Sequence, residues 1–314
     1  MPDLSRRTLL ALGALGSGAL CGCSADGPRA ALRLAAGPEG GPYETFGQRL
    51  AAEIHRADGG LTVQVLGTAA SVRNLRLIDA GGAELGLTLA DSAADAVAGR
   101  ASFARPVALA AIARLYLNYL HLVVPADSPV HAVGQLAGRT VSSGADGSGT
   151  SVVAERVLAA AGLSSADIRR LGLAESVAAL RAGRIDGFFW SGGVPTRAIA
   201  DLAAGTPVRL VPLGEIATAL RRAYGPVYES VSIPADAYRA QPPVDTLGTP
   251  SYLVCGAALD PGVVRAVTRT LFRSRDRLQV PDAPGSRLDE RYAIGTGTVP
   301  LHPGAAAYYR AVYG

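Results

Sequence analysis

Residues 144–150 read GADGSGT, the composition from which proteins build anion cradles: glycines that let backbone N–H groups converge, with hydroxyls beside them. The stretch joins a short strand-like run to a helical pattern that begins near Ser151 and runs to Ala161. It has no GxxxxGK[ST] motif, its glycines miss the GxGxxG spacing, and the chain has no lysine to set against phosphate. Ser148 and Thr150, flanking Gly149, therefore suit a carboxylate at a helix end better than a phosphate. The competing structural reading is a strand-to-helix turn that needs glycine for positive φ. Three more helix starts share this chemistry: EGGPYETFG at 39–47 with Tyr43, then Ser71 with Asn74, then SGGVPT at 191–196. Any one of them is more often a cap than a ligand contact. Together they offer neutral donors and helix dipoles, a combination that fits a small carboxylate.

Other chemistry is poorly represented. His55, His121, His131 and His302 are dispersed, and no spacing suggests a metal site. His121, within an apparent strand, and His302, in the turn LHPG, read as structural. No GxSxG surrounds a nucleophile. Asp91 and Asp186 end strand patterns and could act as bases, but nothing pairs with them, so hydrogen-bonding roles are expected. Cys255, in TPSYLVCGAAL, reads as a small core residue with no internal disulfide partner. All 30 basic residues are arginine, which excludes Schiff-base and P-loop lysine chemistry; they are scattered, so no nucleic-acid surface is marked. No enzyme activity, metal or cofactor is expected.

The elements that must position these residues alternate between strand and helix, the pattern of an α/β fold. Phe46, Leu50 and Ile54 form one helix face, and Val72, Leu75 and Ile78 another. LTVQVL, ELGLTL, RTVSSG, IDGFFW and VRLVPL read as strands, GVPTRAIADLAAG as a helix. Asp260-Pro261 opens a late helix, with Asp as the cap, Pro in the first turn and Val263, Val264, Val267 and Leu271 inward. Two stretches resemble each other across a gap of about three residues, Gly67–Glu84 and Gly172–Asp186; the alternatives are chance similarity and two lobes built from one β-turn-α-β unit. At 314 residues with 49% hydrophobic content, two cores are affordable.

The expected architecture is two mainly parallel sheets flanked by helices and facing each other across a cleft. YLHLVV (119–124) and YLVCGAAL (252–259) are the expected crossing strands. Lobe 1 would comprise 31–122 and 252–314, and lobe 2 residues 123–251. Residues 1–23 read as an export signal: Arg6-Arg7 before a short apolar run resembles a twin-arginine signal. Leu20-Cys21-Gly22-Cys23 resembles a bacterial lipobox, with Cys23 favoured over Cys21 for lipidation, and an ordinary cleaved signal is the alternative. Residues 24–30 suit a tether.

GGPYETFG, GTAASVRNLRLI, LHLVVPADS, GADGSGTSVVAERVL, IDGFFWSGGVPT and VPLHPGAAAYYRA, in that order, resemble the TAXI-type solute-binding receptors of TRAP transporters. The resemblance implies a two-lobed periplasmic-binding-protein fold that closes on a small organic acid such as glutamate, glutamine, a 2-oxoacid or a dicarboxylate. It implies a monomer that delivers this ligand to TRAP membrane subunits from the periplasmic or extracellular side, lipid-anchored to the membrane. By motif position the cleft would be lined by Pro42, Tyr43, Ser71, Asn74, Gly147, Ser148, Gly149, Thr150, Gly193, Val194, Pro195 and Thr196, with Asp91 and Trp190 nearby. Leu89-Ala90-Asp91 stands where many relatives read QSD, and Arg73 where Glu is common. Fewer polar contacts argue against glutamate and for a ligand with fewer polar groups, or one held mainly by its carboxylate. A sensor that presents its ligand to a membrane kinase is the alternative function.

Overall fold

The computed structural model describes residues 28–238, 242–279 and 288–314. The proposed signal sequence, with Cys21 and Cys23, therefore lies outside the described residues, as does most of the proposed tether. The first half alternates as expected: β1 (Ala30–Ala35), α1 (Pro42–Ala57), β2 (Leu61–Leu66), α2 (Ser71–Asp79), β3 (Leu85–Leu89), α3 (Ala90–Ala98), then the 17-residue β4 (Leu109–Pro125). The pattern restarts with β5 (Thr140–Ser142), α4 (Gly149–Ala160), β6 (Asp167–Arg169), α5 (Leu173–Arg181) and β7 (Gly187–Gly192). It continues through α6 (Arg197–Gly205), β8 (Val208–Leu210), α7 (Gly214–Tyr224), β9 (Glu229–Ile233) and β10 (Val244–Gly256). Helices α8 (Pro261–Arg273), α9 (Glu290–Ala293) and α10 (Pro303–Tyr313) end the chain.

Two separate sheets were expected; hydrogen bonding instead runs through one mixed, curled sheet in the order β2-β1-β3-β10-β4-β7-β5-β6. The cause is the length of β4 and β10. These pair antiparallel with each other from Gly248–Tyr119 to Gly256–Leu109; β10 carries a strand of each lobe, and β4 runs on from β10 to carry strands of lobe 2. β10 pairs β3 through Ser251–Cys255 and β9 through Val244–Gly248. β4 pairs β7 through Tyr119–Val123. YLHLVV and YLVCGAAL are thus one end each of longer strands.

The cores divide accordingly. One apolar cluster packs Leu34, Phe46, Leu50 and Ile54 against Ile112, Leu253, Val264 and Leu271, and a second packs Val72, Leu75 and Ile78 against Val254 on the opposite sheet face. The other lobe has its own pair of clusters, around Leu122, Val141, Val157 and Phe189, and around Val123, Phe188, Ile199 and Leu202. Burying such side chains is worth about 1.5–3 kcal/mol each, which is why the periodic apolar positions decide where helices lie. Cys255 is fully buried, and burial pushes its thiol up to about 12.

The internal resemblance is structural. After α2, Gly81 takes φ 68° and the N–H of Gly82 donates to Leu77; after α5, Gly183 takes φ 64° and the N–H of Arg184 donates to Ala179. Both are left-handed helix ends, where glycine avoids a β-carbon clash. The acid that follows also repeats its role: Glu84 accepts from the Arg33 N–H at 2.7 Å, and Asp186 from the Thr140 N–H at 2.8 Å. Asp186, also paired with Arg139 at 3.3 Å, is a strand staple.

Candidate functional site

A cavity of about 300 Å³ lies between the lobes. Its wall is made by the starts of five helices, α1 and α2 from lobe 1 and α4, α5 and α6 from lobe 2, closed at the back by β3, β4 and β7. Each start follows from local sequence. Pro42 occupies the first turn of α1, where its missing N–H costs nothing. Ser148 caps α4, its Oγ accepting from the Ser151 N–H at 3.1 Å, while Gly144 and Gly147 take φ 98° and 73° to bring the chain round. At α5, Glu175 reaches back to accept from the Gly172 N–H at 3.0 Å.

Of the residues expected at the cleft, the structure brings together Pro42, Tyr43, Ser71, Ser148, Gly149, Thr150 and Trp190. The Tyr43 hydroxyl shares a 2.8 Å hydrogen bond with Ser251 Oγ, and the Ser71 Oγ accepts from the Leu89 N–H at 3.1 Å. Thr150 Oγ1 accepts from the Ser191 N–H at 3.2 Å, joining α4 to β7. Gly149 and Thr150 are wall residues in the first turn of α4, where backbone N–H groups have no intrahelical acceptor.

The others are not wall residues. Asn74 is fully buried; its Nδ2 donates to the carbonyls of Ala36 and Leu87, both at 2.6 Å, so it staples β1 to β3. Gly193–Thr196 fold back on themselves after a cis Val194–Pro195 bond. Thr196 Oγ1 donates to the Gly193 carbonyl at 2.6 Å and accepts from Trp190 Nε1 at 2.9 Å, while Val194 joins the lobe 2 core. Gly147 faces Arg73, whose N–H donates to its carbonyl at 3.1 Å. Asp91 lies below the wall, accepting from the Ser92 N–H at 2.6 Å and the Tyr228 hydroxyl at 2.8 Å; burial raises its carboxyl.

Sequence reading missed several wall residues. Asn118 on β4 donates to Ser251 Oγ, and Leu89, Phe189 and Leu171 supply apolar surface. The start of α5 was also missed, although the repeat pairs it with the start of α2, a signal that could have found it. Among the described residues, the charged ones of the wall are Glu39 and Glu175, both exposed at its edge, and no arginine or histidine lines it. An anion here would be held by helix N–H groups, hydroxyls and an amide, against mostly apolar walls. Among the described residues no group of three or more His, Cys, Asp or Glu could hold a metal ion.

Two lobes on a shared pair of strands, with a cavity walled by helix starts from both, define the periplasmic solute-binding-protein fold. Residues 34–312 match the NMT1-like family, and the chain belongs to it. Solved structures with the same fold include a protein of Bordetella bronchiseptica RB50, 19% identical over 91% of this chain and 89% of that one, with TM-score 0.54. GshT of Streptococcus mutans, described in connection with glutathione import and a cystine ABC importer, is 14% identical over 83% and 98%, with TM-score 0.53. The alkanesulfonate-binding protein SsuA of Xanthomonas axonopodis pv. citri, bound to MOPS, is 18% identical over 91% of each chain, with TM-score 0.50.

Proposed function

We propose that the chain is an extracytoplasmic solute receptor that captures a small organic acid between its lobes and hands it to a membrane importer. The observation that carries this is the interlobe cavity, walled by helix starts of both lobes. A ligand touching both lobes favours the closed pose by its differential affinity, and closure is what an importer can read. The carboxylate would sit at the Ser148–Thr150 turn, its carbon body against Leu89, Phe189 and Trp190. Glu39 and Glu175 at the edge disfavour a second negative charge, so a monocarboxylate or amino-acid zwitterion fits better than a dicarboxylate.

The TAXI-type resemblance supports a TRAP-type importer as partner; NMT1-like membership and the importer-associated neighbours support an ABC-type importer as the second reading. Cys23 as a lipid anchor would hold the receptor at the membrane. Calorimetric titration of the exported protein with amino acids, 2-oxoacids, aliphatic monocarboxylates and dicarboxylates tests the reading. Saturable binding of a carboxylate, lost on blocking the cavity by Ser71→Trp, is the expected result; no response to any carboxylate sinks it.

A further inference from the structure

The helix that contributes the Ser148–Thr150 turn lies with one face on the opposite lobe. Gly149, Val152 and Arg156 recur on α4 at i, i+3 and i+7, and so share one stripe. At Gly149 the approach is so close that a β-carbon would come within 2.4 Å of Ser71 Oγ and 2.6 Å of Leu89 Cδ1. Val152 packs on the lobe 1 cluster around Leu75 and Val254. Arg156, only 8% exposed, pairs across the boundary with Asp95 and, at 3.5 Å, with Asp91, both buried on α3. Its Nη1 also donates to the Tyr228 hydroxyl at 2.8 Å, and the Tyr224 ring centroid lies 4.1 Å from its guanidinium. Arg100 pairs with Asp95 at 2.7 Å, so two acidic side chains face two guanidiniums.

A buried ion pair is a poor source of net stability, because desolvation offsets its attraction, but it penalises any pose that leaves a charge unpaired. Across a moving boundary that makes it a register device. We propose that Arg156 is a positioning residue for ligand capture: its pairing with Asp91 and Asp95 seats α4 on lobe 1 and sets the Ser148–Thr150 turn at the cavity. Gly149 is bare so that the seating can complete. The consequence for affinity rests on the capture reading above; the seating does not.

The test separates the two. Spin labels on cysteines introduced by Ala80→Cys in lobe 1 and Ala159→Cys in lobe 2, both exposed sites, report lobe separation without any ligand. Gly149→Ala is a wedge, and alanine is a better helix former than glycine, so α4 itself is not weakened. Arg156→Met with Asp91→Asn removes the cross-boundary pair and leaves Asp95 with Arg100, so no charge is stranded. Both variants should shift the distance distribution to longer separations, and Arg156→Lys should restore part of the short one. Affinity for whichever carboxylate the parent protein binds should fall at least about tenfold in both variants. Unchanged distance distributions in both overturn the proposal. Should the wedge fail to fold, the charge-balanced variant decides alone. Shifted distances in a protein that binds no carboxylate would uphold the seating and reject the capture reading.

Discussion

His121 is 1% exposed on β4, with Nε2 2.8 Å from the Tyr238 hydroxyl and Nδ1 facing the carbonyls of Tyr119 and Trp190. Burial pushes its imidazole down to about 4. Between that value and the ordinary 6.5, the unfolded chain binds a proton that the folded chain does not. Stability is therefore complete above pH 6.5 and falls as the pH drops towards 4, by up to about 3 kcal/mol. Urea titrations across this range should show the loss, and His121→Gln should flatten it. In the cavity, Thr150→Ala removes a hydroxyl that accepts from the Ser191 N–H and should weaken ligand binding about tenfold while the protein stays folded, read by calorimetry and melting. Glu175→Gln can keep the cap on α5 but removes an edge charge. It should raise affinity for dicarboxylates more than for monocarboxylates, with the difference shrinking in high salt.

At the scale of elements, Asn74 belongs to the frame. Asn74→Leu leaves the carbonyls of Ala36 and Leu87 without their donor and should cost about 1–3 kcal/mol of stability in a denaturant titration. Ligand affinity measured well below the melting temperature should change little. This residue also shows where sequence reading stopped. The Ser71 helix, which lies at the cavity wall, was legible as a helix start because composition and apolar spacing are local signals. Whether Asn74, one turn further on, pointed into the cleft or back to β1 and β3 depended on tertiary packing. Thr196 failed for the same reason: a Gly/Ser/Thr-rich helix start is visible in sequence, but its fold-back on Gly193 and Trp190 is not. Asp260 succeeded because a cap is satisfied within three residues, its Oδ1 accepting from the Val263 N–H at 2.9 Å. Asn118 was a polar residue inside a long apolar strand and could have been questioned; its partner Ser251 is remote in sequence.

For the whole molecule, a ligand that binds only the folded protein raises its stability by mass action, on the order of 2.7 kcal/mol at a hundredfold excess over Kd. The melting temperature should rise steadily with the concentration of the bound acid and stay flat with acids that do not bind, as read by scanning calorimetry. Lobe organisation was legible because strand–helix alternation restarted after residue 140. Continuity of the sheet was not, since the lengths of β4 and β10 follow from pairing on both sides. That continuity also orders events in time. β10 lies between β3 and β4 in the sheet, yet it is synthesised only after the entire central lobe. A nascent chain therefore carries a slot in its first lobe, two unpaired apolar edges waiting for their middle strand, while the central lobe is still being made. Such edges recruit foreign strands. The protein's most exposed moment to aggregation thus falls during synthesis, before Val244–Gly256 has emerged to fill the gap.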